Sequence, residues 1–472
     1  MILQQIYLGC LSHASYLLGD EETGTGVVVD PQRDVDVYVD KARALGLHIR
    51  HVILTHFHAD FVAGHLELRA RTGAIIHLGA AAQAEYEFSP LAEGAHLQFG
   101  KLRIDVLETP GHTPESICLL VYDLERSPEV PQAVLTGDTL FVGDVGRPDL
   151  MVASGASASE LAGQLYDSLH QKLLRLPDST LVYPAHGAGS ACGKNLGPET
   201  FSTLGQQRRG NGMLQPMSRE EFVRRASSDL PSAPPYFAFA AELNRRERPT
   251  LERSLHQELR PLTLDEVLAR QARGAQLLDV REPAAYAAGH LPGSVSIGLG
   301  GRYASWAGTV LERERPIVLI AEPGREVEAA MRLGRIGFDQ VAGFLQGGPG
   351  ALAPRPELLR RTARVQARQL AAELAGPRPP VVVDVRGPGE RASSRIPGSL
   401  HLPLDQLRSR AAEVPRDRRV VLHCASGYRS MIAASLLEPA GLADLADLDG
   451  GMEAWLRTQP APVFPSGAER GQ

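Results

Sequence analysis

Cysteine is scarce. The 472 residues hold four, at Cys10, Cys118, Cys192 and Cys424. Thiols so few and so far apart do not form a disulfide framework. They point to a reducing cytoplasm, where a functional cysteine is catalytic or redox-active. Long hydrophobic runs are lacking as well: none reaches the ~18 residues of a membrane span. No basic residues precede an apolar stretch at the N-terminus, where the first Lys or Arg is Arg33, so no secretory signal is expected. Extended basic runs are missing too. The 49 Lys and Arg stand against 55 Asp and Glu for a net charge of −6, which argues against nucleic acid as the main partner. The 34 Pro and 47 Gly show no collagen period, and 43% hydrophobic with 22% charged residues excludes disorder over most of the length.

What is present divides into parts. At roughly 100–200 residues per domain, the length predicts two to four domains. Residues 1–230 read as one long unit. Residues 231–261 read as a linker or a surface-wrapping segment, with Pro231, Pro234, Pro235 and Pro249 around the run Asn244-Arg245-Arg246-Glu247-Arg248. Beyond them lies an internal repeat. Leu277-Leu278-Asp279-Val280-Arg281 matches Val382-Val383-Asp384-Val385-Arg386, Pro292-Gly293-Ser294 matches Pro397-Gly398-Ser399, and Gly347-Gly348 matches Gly450-Gly451. Two copies are too few for a solenoid, so they read as tandem domains over 262–352 and 358–465. Short apolar runs alternate with helical patterns in both, which is α/β patterning. In the first unit, strand-like runs fall at 25–30, 51–55, 102–108, 117–122, 133–136 and 180–183, and the functional residues should occupy the loops after them.

Those loops carry metal-ligating chemistry. After His51-Val52-Ile53-Leu54 come Thr55-His56-Phe57-His58-Ala59-Asp60, then Gly64-His65. Downstream are Thr109-Pro110-Gly111-His112-Thr113-Pro114, Thr136-Gly137-Asp138-Thr139 and Tyr183-Pro184-Ala185-His186-Gly187. Imidazole and carboxylate suit Zn²⁺ or Fe²⁺. The ordered set resembles the metallo-β-lactamase superfold, which implies an αββα sandwich. Dinuclear zinc hydrolases of that fold usually continue the first motif with another His, where this chain has Phe61. A single open-faced metal held by two His and one carboxylate is the facial triad of non-haem iron oxygenases. The sequence is similar to the persulfide dioxygenases, and that resemblance implies one Fe(II) per chain, with zinc as the alternative, held by His56, His112 and Asp138. His58, Asp60 and His186 then become groups that orient the ligands and bound water, or extra ligands. Arg147, in Gly146-Arg147-Pro148-Asp149, is implied to clamp an acidic group of the substrate. Cys192, beside Lys194, reads either as a thiol of lowered pKa that carries sulfur or as a small buried hydrophobe.

In the last repeat, His423-Cys424-Ala425-Ser426-Gly427-Tyr428-Arg429-Ser430 leads into an apolar helix. A Cys at a strand-to-helix turn sits among backbone N–H groups that favour its thiolate, and Arg429 adds to this. The stretch resembles a sulfur-transferring rhodanese, and Cys424 and Arg429 are its implied catalytic residues. The first repeat has Ala321 at the cysteine position and Glu322 beside it, so it reads as rhodanese-like, without the chemistry and with a structural role.

The whole chain resembles the persulfide dioxygenase–sulfurtransferase fusions. The implied function is oxidation of a low-molecular-weight persulfide by O₂ to sulfite and thiol, coupled to transfer of sulfane sulfur among persulfide, thiosulfate and sulfite. The implied setting is sulfide detoxification in the cytoplasm, by a homo-oligomer that uses neither nucleic acid nor membrane. Two readings compete: a glyoxalase II-like thioester hydrolase, and a sulfur carrier without catalysis.

Overall fold

The computed structural model describes residues 1–150, 155, 157–228, 230, 233–442 and 444–458. Pro231 and the end of the second repeat, 459–465, lie outside the described residues. The chain divides into two compact units, one of Met1–Gln257 with Met331–Asp339, the other of Glu258–Ala330 with Gln340–Gln472.

The first unit is built on two six-stranded sheets. One runs, in spatial order, Ile2–Leu8, His13–Asp20, Thr25–Val29, His48–Ile53, Ile75–Gly79 and Ser89–Leu91. The other runs Ser202–Thr203, Leu181–Pro184, Ala133–Gly137, Ile117–Asp123, Leu102–Glu108 and His96–Phe99. Period-two patterning sets which face turns inward. Leu102, Ile104 and Val106 meet Tyr16, Leu18, Val27, Val29 and Ile53 in one core between the sheets. The alternate residues Cys118, Leu120, Val134 and Val182 face outward, under Leu161-containing helix Ala158–Asp167 and helix Arg219–Ser227, where Leu165, Leu169 and Phe222 cover them. Ile117–Asp123 is buried throughout, and apolar from Ile117 to Val121, because both of its faces are covered. The result is the αββα sandwich that the motif order implied.

Residues 233–261 are largely helical. They hold the helices Phe237–Arg245 and Leu251–Glu258, and Tyr236, Phe237, Ala240, Asn244 and Leu251 are buried. The charged run hid this, because its arginines are tied down: Arg248 pairs with buried Glu67 and donates to the Ala63 carbonyl.

The second unit contains the second repeat and, apart from residues 331–339, the first. Each is a five-stranded, wholly parallel sheet with the same strand order. The first is Pro261–Leu262, Val341–Leu345, Ile317–Ile320, Gln276–Asp279, Ser294–Ser296. The second is Ala363–Val365, Leu445–Leu448, Val420–His423, Val381–Asp384, Leu400–His401. Asp279 pairs with Ile320 in one and Asp384 with His423 in the other, so the residues that follow, Ala321 and Cys424, are structural equivalents. Each repeat also locks the strand beside its central one by a forked Arg–Asp pair, Arg281 on Asp279 and Arg386 on Asp384.

Candidate functional site

Four loops of the sandwich bring the predicted residues together. His56, His58 and Asp60 follow the strand His48–Ile53, His112 follows Leu102–Glu108, Asp138 follows Ala133–Gly137, and His186 follows Leu181–Pro184. All six are buried. The loops are fixed from behind. Asp30, held at φ +50°, accepts from the Thr55 amide and hydroxyl at 2.8 Å each. Asn244 donates to the carbonyls of His58 and Phe61 and accepts from the Ala63 amide, all at 2.8 Å. At Gly146 a Cβ would overlap the Asp138 carbonyl oxygen and press on His112, so only glycine lets this loop close against both.

The hydrogen bonds determine the tautomers. Thr55 gives its proton to Asp30, so its oxygen accepts from His56 Nδ1 at 3.0 Å. His112 Nδ1 donates to the Arg147 carbonyl at 2.9 Å, and His186 Nδ1 to the Ser12 carbonyl at 3.2 Å. Each of these rings is left with a lone pair on Nε2. Those lone pairs face a carboxylate. Asp138 Oδ2 lies 3.8 Å from His56 Nε2 and 3.5 Å from His112 Nε2, and Asp138 Oδ1 lies 3.5 Å from His186 Nε2. Asp60 Oδ2 is also 3.5 Å from His186 Nε2. Neither Asp138 oxygen has a hydrogen-bond donor, and neither do His56 Nε2, His186 Nε2 or Asp60 Oδ1.

Buried lone pairs converging without donors are costly unless a cation lies among them. The donor set therefore fits a metal ion. His56, His58 and Asp138 can offer ligand atoms within 4.8 Å of one another, and so can His58, Asp60 and His186. Burial drives the His56 pKa well down, and the neighbouring imidazoles of His58 and His112 drive it further, which keeps that ring neutral. Burial opposes charge on His58, but Asp30, 3.0 Å from its Nε2, reverses the balance and raises it. Burial raises Asp60, and Asp138 nearby adds to that against the pull of His186.

Phe61 fills the space beside this cluster, its ring 4.0 Å from the His13 ring and 4.4 Å from that of His58. The sequence analysis missed three contributors. His13 is buried against Phe61 with no partner for either ring nitrogen. Asp30 ends a strand just before a proline, which was the signal available. Asn244 was hidden in the charged run.

The structure also places Arg147 and Cys192. Arg147 does not present a free fork: its Nε and one terminal nitrogen grip Asp149 at 2.7 Å each, while its carbonyl orients His112. Cys192 groups with Asp138 and His186, but its pKa is raised well above a normal thiol, by burial first and then by Asp60 and Asp138. Lys194 does not lower it, because its ammonium binds the carbonyls of Arg225 and Ser228.

In the second repeat Cys424 is buried at the turn into helix Tyr428–Leu437. Its Sγ accepts from the Gly427 amide at 3.1 Å, and the Ser430 hydroxyl lies 3.5 Å away. Gly427 adopts φ +102°, the left-handed turn that points this amide at sulfur. Arg429 is forked onto Glu390 at 2.6 and 2.7 Å beside the loop. A cleft of about 420 Å³ opens at this loop, lined by Ser426, Gly427, Tyr428 and Arg364, and by Glu282 and Gly301 of the other repeat. In that other repeat Ala321 replaces sulfur. The acid that fills the loop is Glu326: it takes the Gly324 amide at 2.8 Å, the counterpart of the Gly427 amide.

Comparison with known proteins finds three matching regions. Residues 8–186 match the metallo-beta-lactamase superfamily, and residues 263–351 and 366–458 match the rhodanese-like domain. The chain is 30% identical over 255 residues to the mitochondrial persulfide dioxygenase ETHE1 of Bos taurus, covering 52% of this chain and 88% of that one. It is 34% identical over 190 residues to a hydroxyacylglutathione hydrolase of Polaromonas, covering 39% of this chain and 66% of that one. Among solved structures, a metallo-beta-lactamase from Staphylococcus aureus superposes with a TM-score of 0.64 at 31% identity, covering 73% of this chain and 98% of that one. Among the described residues no helix is long and apolar enough to cross a membrane.

Proposed function

Because the chain belongs to the persulfide dioxygenase family within the metallo-beta-lactamase superfamily and adds two rhodanese-like domains, we propose that it oxidises a low-molecular-weight persulfide and moves sulfane sulfur through Cys424. The overall oxidation consumes persulfide, O₂ and water and yields thiol, sulfite and two protons. The terminal sulfur loses four electrons and O₂ gains them.

The observation that carries this reading is Asp138, buried with both oxygens unpartnered and approached by lone pairs of His56, His112 and His186. His56, His112 and Asp138 would hold one Fe(II). Bound there, the ion would supply a redox-active Lewis acid able to bring a thiolate sulfur and O₂ together. The chain's own work is orientation. Thr55 and the Arg147 carbonyl keep the protons of His56 and His112 on Nδ1, so both rings present Nε2. Asp60 and His186 lie where a proton or a bound water can be held beside the reacting sulfur. Phe61 and the surrounding burial exclude bulk water. The rhodanese loop then serves as a sulfur carrier: the thiolate of Cys424 takes the outer sulfur of a donor, and that sulfur leaves to sulfite or a thiol.

His58, Asp60 and His186 form a second three-donor group, which is the observation favouring the thioester hydrolase reading. One experiment separates them. Aerobic protein given glutathione persulfide should form sulfite, and Asp138→Ala should abolish it. Hydrolysis of a glutathione thioester with no sulfite formed would overturn the dioxygenase reading.

A further inference from the structure

Ser430 has one hydroxyl proton and two acceptors for it. Its Oγ lies 2.6 Å from Asp447 Oδ1 and 3.5 Å from Cys424 Sγ. A hydroxyl donates once. While Cys424 is a thiol there is no conflict, because the S–H can donate to Ser430 and Ser430 to the carboxylate. Once the sulfur has no proton, as thiolate or as the inner atom of a persulfide, the two compete.

We propose that Asp447, acting through Ser430, decides whether the sulfur of Cys424 receives a hydrogen bond as it leaves a persulfide. With Asp447 protonated, the carboxyl donates to Ser430 and Ser430 donates to Sγ. With Asp447 ionised, Ser430 turns to the carboxylate and Sγ keeps the Gly427 amide and the neighbouring Arg429 guanidinium, which do not depend on Asp447. The inference rests on the reading of Cys424 as a sulfur carrier.

The surroundings make the switch operable near neutrality. Asp447 sits on strand Leu445–Leu448 with no exposure to solvent, and burial pushes its carboxyl up to about 7. Opposing this are the Ser430 hydroxyl on the facing helix and Arg364 on the neighbouring strand, whose Nε lies 3.2 Å from Asp447 Oδ2; Asp449 in the following turn pushes the same way as burial. Cys424 is the titratable group across Ser430. Arg364 also fixes the geometry: it donates to Oδ2, which leaves Oδ1 to face Ser430. Asp447 therefore acts as a positioning residue.

The step affected is Cys424–S–S⁻ plus cyanide giving the Cys424 thiolate and thiocyanate. The S–S bond breaks with its electron pair on Sγ, and a carbon–sulfur bond forms. The test is discharge of preloaded Cys424 persulfide by cyanide in the full-length protein. The rate constant, expressed per cyanide anion, is followed across about pH 6 to 9, a range that spans Asp447 ionisation. In the parent protein it should fall as pH rises past neutrality, by about tenfold for loss of one charge-assisted hydrogen bond.

Asp447→Asn should stay at the fast limit throughout, because its amide oxygen faces Arg364 and its NH₂ faces Ser430. Ser430→Ala should stay at the slow limit throughout. A flat parent profile would overturn the inference alone. So would a pH step that survives in Ser430→Ala, which would mark a through-space charge effect. Should Asp447→Asn fail to fold, the parent and Ser430→Ala profiles decide. No thiocyanate at any pH would overturn the sulfur-carrier reading and this inference with it.

Discussion

The side-chain amide of Asn244 donates to the carbonyl of His58 at 2.8 Å, tying a helix from beyond the sandwich to the middle of the loop that carries His56, His58 and Asp60. The same amide holds the Phe61 carbonyl and the Ala63 amide. The path of the loop that carries His56, His58 and Asp60 thus depends on a residue 186 positions away from His58 in sequence.

Asn244→Ala removes all three bonds and leaves three backbone groups buried and unpaired. At about 1 kcal/mol or more for each, the expected loss is on the order of 3 kcal/mol. Thermal unfolding should shift down and bound metal should fall with it. An unchanged melting temperature with full metal content would contradict this role.

Gly146→Ala places a methyl group against the Asp138 carbonyl oxygen and the His112 side chain. Metal content measured on the purified variant should drop several-fold while the rhodanese activity stays. Full metal content would show that the loop relaxes without moving either residue.

The repeat without cysteine should not be repaired by cysteine alone. Ala321→Cys in a Cys424→Ser background is expected to give no transfer from thiosulfate to cyanide, because Glu326 already occupies the Gly324 amide. Activity from the single change would mean that this carboxylate yields readily to an incoming anion.

His423 stays neutral in the folded protein: burial, opposed only in part by Asp384, lowers its pKa to about 4 from the usual 6.5. Between those values the unfolded chain binds more protons than the folded one, so stability falls as pH drops from 6.5 towards 4 and levels off below. The loss should be no more than roughly 3 kcal/mol for a shift of that size. Denaturant unfolding at a series of pH values should show this slope, and His423→Asn should flatten it. A slope unchanged in the variant would place the acid sensitivity elsewhere.

The parts of this molecule legible in the sequence were those set by local pattern. Val27-Val28-Val29, the alternation from Leu102 to Glu108 and the apolar run from Ile117 announce their strands, and the order of His56, His112, Asp138 and His186 announces the fold. What was hidden depends on where side chains end up. The grip of Asp149 on Arg147 is such a contact. Lys194 sits two residues from Cys192 yet points to other carbonyls. Asn244 lies in a run of charge that reads as solvated, and Asp447 carries no motif at all. Glu326 caps the loop that follows Ala321 because the turn carries residue 326 back over Gly324.

Oxygen uptake on adding glutathione persulfide, measured against the iron content of anaerobically purified protein, tests the central claim most directly. Uptake that scales with iron, yields sulfite and vanishes in His112→Ala is the predicted result. Iron-loaded protein that consumes no oxygen with either glutathione or coenzyme A persulfide would contradict the account.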